Sequence, residues 1–301
     1  NSFCFLNTNL SVQIMSSRIL VTGATGTIGS FVCEQLKEVN ADLIAMVRSE
    51  EKAKALHEKG IKTVMGDLSD ISSLEKVLQG IDIVFLLSVT SPESPTLQGN
   101  LVKVAKEKGT KHIVKISVRG ASLDSEIGIA RYHAMTEKDI RDSGVAYTFL
   151  QPHSFMQNLV FDAESIKNQN AIFAPMGDGK IGMIDARDIA AVAVKALTED
   201  GHEGKTYVLT GAKALSFHDL SNAFTFFLGR DIKYIHVSSE LAHQGMLDAG
   251  MPEWLANDLT AINKIYAAGQ GSEISNDIEK VTGRRAGLLK EYLNDYIDLY
   301  K

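Results

Sequence analysis

Ile19-Leu20-Val21-Thr22-Gly23-Ala24-Thr25-Gly26-Thr27-Ile28-Gly29, running on into Ser30-Phe31-Val32, decides the fold of this 301-residue chain. Residues 19–21 are an unbroken apolar run, the pattern of a parallel strand buried on both faces. Beyond the turn, Ile28, Phe31, Val32, Leu36 and Val39 step by three, one, four and three, which is one stripe of a 3.6-residue helix. Strand, glycine turn and helix in that order make a phosphate cradle. Gly23 permits the sharp turn, Gly26 lets a pyrophosphate approach the main chain without a Cβ in the way, and Gly29 lets the helix sit close on the strand. Free amides and the positive helix end face the phosphates, so Gly23, Ala24, Thr25, Gly26, Thr27, Ile28 and Gly29 are expected to bind a dinucleotide.

Outward from this unit, residues 43–47 read as a second buried strand that ends at Arg48, nineteen residues past Gly29. A carboxylate there would hydrogen-bond the ribose 2′-hydroxyl of NAD, whereas arginine accommodates the 2′-phosphate of NADP and can grip it in bidentate fashion. NADP(H) is the predicted cofactor. Ser49 reads as the N-cap of the next helix, with Glu50 and Glu51 in its first turn.

The alternation continues, with strands expected over 63–65, 83–87, 112–116, 147–150 and 206–209 and helices over 74–78, 101–108, 131–143 and 189–197. It predicts an α/β, Rossmann-type doubly wound parallel sheet with right-handed crossovers and helices on both faces. Ligands sit at the carboxyl ends of such strands, which places Asp67 and Leu68 near adenine, Ser88 near the ribose or pyrophosphate and Ser117 near the nicotinamide ribose. Asp67 reads equally well as a cap for the helix that follows. Residues 15–152 are expected to form the NADP-binding domain, with 184–212 returning to it. A small, mainly helical region over 153–183 and 213–301 would cover the substrate. Residues 1–14 read as a leader or added segment foreign to the fold.

Composition excludes several classes. The net charge of −6 would repel a phosphate backbone, so nucleic-acid binding is not expected. No run approaches eighteen consecutive apolar residues, which argues against a membrane span. The two cysteines, Cys4 and Cys33, form no metal-ligand pattern, suit a reducing cytoplasm and argue against a metal site.

The G-x-x-G-x-x-G spacing resembles the short-chain dehydrogenase/reductase superfamily, above all its extended and atypical members. Most of those enzymes use Tyr-x-x-x-Lys, in which lysine lowers the tyrosine pKa so that the phenol protonates the carbonyl receiving hydride. No tyrosine here has lysine four residues on; Tyr132 is followed by Thr136. Ordinary carbonyl reduction and sugar-nucleotide epimerisation therefore lose support. The segment occupying that place runs from Tyr132-His133-Ala134-Met135-Thr136-Glu137-Lys138 to Tyr147-Thr148-Phe149-Leu150, and on to Phe155-Met156-Gln157-Asn158. With Gly177-Asp178-Gly179-Lys180, Asp185-Ala186-Arg187-Asp188 and Ala249-Gly250-Met251-Pro252-Glu253, it resembles the NmrA-like atypical short-chain dehydrogenase/reductases. The likeness is greatest to the subgroup containing triphenylmethane reductase and an NADPH:quinone reductase. Gln151-Pro152 departs from it, since many relatives carry arginine before the following residue.

The resemblance implies an NADPH-dependent oxidoreductase that transfers hydride to a quinone or similar conjugated, electron-poor small molecule without the tyrosine acid. Reduced acceptors of this kind are stable anions or neutral products, so proximity and orientation dominate. Pro152, Phe155 and Met156 would wall the nicotinamide, with Asn158 as a hydrogen-bonding group and Trp254 shaping the acceptor pocket. Phe155 and Met156 read equally as helix core. The resemblance also puts Lys138 or His133 against the cofactor ribose as catalytic candidates. Five residues apart, they point about 140° from one another on a helix. His133 shares a face with Glu137, while Lys138 can pair with Asp142. The alternative is a non-catalytic NADP(H)-binding redox sensor of the NmrA type. A homodimer is compatible with either.

Overall fold

The computed structural model describes residues 17–301, so the segment 1–14 lies outside the described residues. The chain alternates β1 (Ile19–Val21), α1 (Thr27–Glu38), β2 (Leu43–Val47), α2 (Glu50–Glu58), β3 (Thr63–Met65), α3 (Ile71–Val77), β4 (Ile83–Leu86), α4 (Ser94–Lys108), β5 (His112–Ile116), α5 (Gly128–Ser143) and β6 (Ala146–Pro152). It continues with α6 (Ala163–Gln169), β7 (Ala171–Ala174), β8 (Lys180–Ile181), α7 (Ala186–Thr198), β9 (Lys205–Leu209), β10 (Leu215–Ser216), α8 (Phe217–Leu228) and β11 (Lys233–His236). Helices α9 (Ser239–Asp248), α10 (Glu253–Ala267), α11 (Asp277–Thr282) and α12 (Leu289–Tyr296) complete it.

Seven strands form one parallel sheet in the order β3-β2-β1-β4-β5-β6-β9, the doubly wound Rossmann arrangement. Between β1 and β4 the direction of winding reverses, and a crevice opens beyond their carboxyl ends. Thr22 fastens that point: its hydroxyl lies 2.8 Å from the Leu87 carbonyl and 3.2 Å from that of Phe85, and it accepts the Leu87 amide at 2.8 Å. One sheet face packs on α1 and α7 through Ile28, Val32, Leu36, Ile189 and Val192; the other packs on α3 and α4 through Leu74, Leu101 and Val104. A separate core of Met156, Ile166, Ile172, Leu220, Phe224 and Tyr292 lies in the remaining segments.

Helices start earlier than apolar periodicity predicts, because polar residues open them. Asp70 caps α3 by accepting the amides of Ser72 and Ser73, and Ser94-Pro95 opens α4 ahead of its apolar stripe. Two small sheets were not foreseen, β11 parallel to β7 and β10 antiparallel to β8. Their strands are two to four residues long and too short to carry a period.

Candidate active site

A cleft of about 740 Å³ lies over the β1–β4 switch point, lined by Thr22 to Ile28, Met46 to Arg48, Lys52, Asp67, Leu68, Leu87 to Val89, Ser91, Leu97 and Phe155. That volume suits a cofactor or ligand site. The three glycines divide the work. Gly23 has φ +64°, and a Cβ there would sit 2.8 Å from the Leu87 carbonyl oxygen. On Gly29 a Cβ would stand 2.1 Å from the Gly23 carbonyl, so the close approach is of helix to turn. A Cβ on Gly26 would meet only the Gly23 oxygen, at 3.3 Å. Its bareness therefore serves what lies in the cleft more than the protein's own packing. Gly26 is also the N-cap of α1 and supplies no side-chain acceptor, which leaves the first-turn amides aimed into the cleft. The cradle fits a pyrophosphate.

At the adenosine end Arg48 and Lys52 both line the cleft. Lys52 was not singled out from the sequence; it lies one helical turn beyond Ser49, whose hydroxyl accepts its amide. Asp67 lines the cleft as well. Its carboxylate accepts the amide and hydroxyl of Ser69 at 2.8 and 2.7 Å, and these bonds, helped by the Arg48 charge, hold its pKa below the usual carboxylate value. The capping expectation for Asp67 is corrected, since Asp70 caps α3. Leu68 and Ser88 also line the cleft, and the Ser88 hydroxyl accepts from Gln98 Nε2 at 2.7 Å.

At the other end several expectations change. Phe155 lines the cleft, held by a bridge to Ile184. Met156 is turned away into the separate core, 1% exposed, because the short 3₁₀ turn Met156–Asp162 points it inward. Asn158 sits in that turn with its amide donated to the Phe155 carbonyl, and Pro152 is buried at the end of β6; neither reaches the cleft lining. Trp254 packs edge-on to Tyr132 at 6.2 Å, also outside the lining. Lys138 projects from the outer face of α5 and pairs with Asp142, so the helix geometry removes it from the cofactor ribose. Ser117 faces α5, donating to Glu137 Oε1 at 2.6 Å, and is likewise absent from the lining.

The inward face of α5 carries a polar network that the sequence reading only half exposed. Glu137 also accepts from Gln151 Nε2 at 2.9 Å and Arg141 Nη2 at 3.0 Å. Gln151 thus serves a buried carboxylate. His133 is buried too: its Nδ1 is 2.8 Å from Lys115 Nζ and its Nε2 is 3.2 Å from Thr90 Oγ1. Burial lowers the Lys115 pKa to about 7 against the opposing pull of Glu137. Burial first, then the Lys115 charge, holds His133 well below the ordinary histidine value. Lys115 sits in the apolar-looking run His112-Ile113-Val114-Lys115-Ile116, where only its charge hinted at a role.

The model of the NmrA-like family matches residues 15–299. An NAD(P)H azoreductase from Xenophilus azovorans is 40% identical over 277 residues, covering 91% of this chain and 96% of the azoreductase. The NADPH complex of an NADPH-dependent quinone oxidoreductase from Escherichia coli superposes with a TM-score of 0.85 at 30% identity, covering 93% of this chain and 99% of that one. The Citrobacter sp. triphenylmethane reductase complexed with NADP(H) gives a TM-score of 0.81 at 31% identity, covering 92% and 99%.

Proposed function

The chain belongs to the NmrA-like family, and from that premise we propose an NADPH-dependent reductase that delivers hydride to quinones and similar conjugated, electron-poor acceptors, azo compounds included. The cofactor is NADP(H). The observation that carries the reading is a glycine cradle joined to the cations Arg48 and Lys52 in one cleft, in a chain 40% identical to an NAD(P)H azoreductase.

When bound, NADPH supplies the hydride. The chain's own residues hold and orient. Amides of Ala24, Thr25, Thr27 and Ile28 face the pyrophosphate, while Gly29, outside the cleft lining, serves the close approach of helix to turn; Arg48 and Lys52 neutralise the 2′-phosphate, and Asp67 with Leu68 borders adenine. Phe155 gives the reacting end an apolar wall that keeps water from it. Residues 153–183 and 213–301 cover the acceptor, a division supported by the separate core built from those segments, although Ile278 and Ala286 pack instead into the core of the main sheet. The azoreductase and quinone-reductase relatives favour turnover over the cofactor-sensing alternative.

Among the described residues no helix is long and apolar enough to cross a membrane. The reading extends to a cytoplasmic setting, supported by the free, buried Cys33, and to a homodimer, which sedimentation velocity checks. The deciding experiment measures NADPH oxidation by the purified protein against quinones, azo compounds and cationic dyes. Binding of NADPH with no oxidation by any acceptor overturns the proposal.

A further inference from the structure

We propose that Lys115, His133 and Thr90 form a directional proton relay that ends at the acceptor. It rests on the reductase reading above and supplies the proton that the missing tyrosine would otherwise give.

Lys115 is fully buried in the middle of the parallel sheet, and its amine donates to the Ile116 carbonyl at 2.8 Å and to His133 Nδ1 at 2.8 Å. An ammonium only donates, so Nδ1 accepts and the imidazole carries its hydrogen on Nε2. That hydrogen points at Thr90 Oγ1, 3.2 Å away. With its oxygen accepting from His133, the Thr90 hydroxyl has its own hydrogen free to give. Thr90 does not itself line the cleft; it is half-buried between Val89 and Ser91, both of which do. The chain of donors therefore runs one way, from β5 through α5 to the loop after β4.

A purely structural buried cation would be expected to hold a carboxylate. Lys115 forms no ion pair among the described residues. The charged groups facing it are His133 and Glu137, both on α5, and Glu137 is already taken by Ser117, Gln151 and Arg141. A cation held by a neutral imidazole can give up its proton without breaking a salt bridge. The low Lys115 pKa agrees with that role.

The step balances. The acceptor's conjugated C=O or N=N system takes hydride from NADPH at one end, and its electron pair moves to the other end. That atom takes the Thr90 hydroxyl proton as the O–H bond breaks; the Thr90 oxygen takes the His133 Nε2 proton, and Nδ1 takes one from Lys115. Lys115 is left as a neutral amine and is recharged by the reverse path after the product leaves. A cationic triphenylmethane dye becomes neutral on receiving hydride alone and needs no proton, so it serves as the internal control.

The test compares wild type with Thr90→Val, Thr90→Ser and Lys115→Met in single turnover with NADPH, using a neutral azo compound and a cationic triphenylmethane dye across pH 5.5–9. The wild-type azo rate should fall as pH rises through about 7, where Lys115 loses its proton. Thr90→Val and Lys115→Met should lower the ratio of azo to dye rates at least tenfold at pH 6 and erase that pH limb, and Thr90→Ser should restore both. In the cofactor-free protein, ¹⁵N NMR should show His133 as the Nε2–H tautomer, with its signal displaced in Lys115→Met. An equal fall for both acceptors, an unchanged pH limb in Thr90→Val, or the opposite tautomer overturns the relay. If wild type binds NADPH and reduces no acceptor, the reductase reading falls and the relay with it. If wild type reduces the azo compound while the variants keep its pH limb, only the relay falls.

Discussion

Arg48 is the residue on which cofactor choice turns. It directly follows β2 in the cleft lining, which Lys52 shares. A guanidinium and an ammonium so placed favour a 2′-phosphate over a hydroxyl. NADPH should bind at least tenfold more tightly than NADH, and Arg48→Ala should erase most of that preference, a loss of about 1.4 kcal/mol or more, measured by fluorescence titration of both cofactors. Equal affinities in wild type would refute the role. Residues whose function follows from local spacing were legible: the glycines at 23, 26 and 29, and Arg48 at its strand end. Those whose function depends on a distant partner were not. Thr22 matters through Leu87 across the switch point, and Lys115 through α5 and the loop after β4. Met156 and Lys138 were placed by family likeness and Ser117 by its strand end; the first two side chains turn elsewhere once the 3₁₀ turn and the helix bearing them are built, and Ser117 is drawn to Glu137 on α5.

At the scale of elements, the first helix and all seven strands of the main sheet could be read from the sequence, the central ones because buried parallel strands are near-continuous apolar runs. The attachment of α10 to the rest could not. Helix α5 has no side-chain cap of its own; Asp258 of α10 accepts the amides of Gly128 and Ile129 at 2.9 and 2.7 Å from 130 and 129 residues away. Within α9 nothing is buried, and within α10 only Ala256, so little apolar area holds this pair down. Asp258→Ala should cost about 0.5–2 kcal/mol of local stability. Amide exchange in α9 and α10 should speed up several-fold while NADPH affinity stays unchanged. Unaltered exchange would show that the clamp is dispensable.

For the whole molecule, buried histidines set the response to acid. His112 and His133 are held below the ordinary histidine value chiefly by burial, and His153 is lowered to about 4 for the same first reason. Each binds a proton more readily unfolded than folded, so their contribution to stability should rise with pH up to about 6.5, and Lys115, lowered by burial to about 7, should add to it further as pH rises from about 7 towards the ordinary lysine value of 10.5. Asp162, raised by burial to about 7, pulls the other way as one group against three. The urea midpoint should therefore be higher at pH 7 than at pH 5, with the difference reduced in His153→Phe; a flat profile would contradict the assignment.

The route of the polypeptide carries one further consequence. After Pro152 it leaves the Rossmann sheet, comes back at Ile184 to lay down α7 and the edge strand β9, and departs again after Leu209, with Ile278 and Ala286 of the later chain packing back into that core. A fragment stopped at Pro152 would lose the helix that covers α1 and bare an unpaired sheet margin along β6. Such a truncation should aggregate instead of yielding an autonomous coenzyme-binding module. Gene fusions or splits of this protein must accordingly keep both visits to the sheet intact.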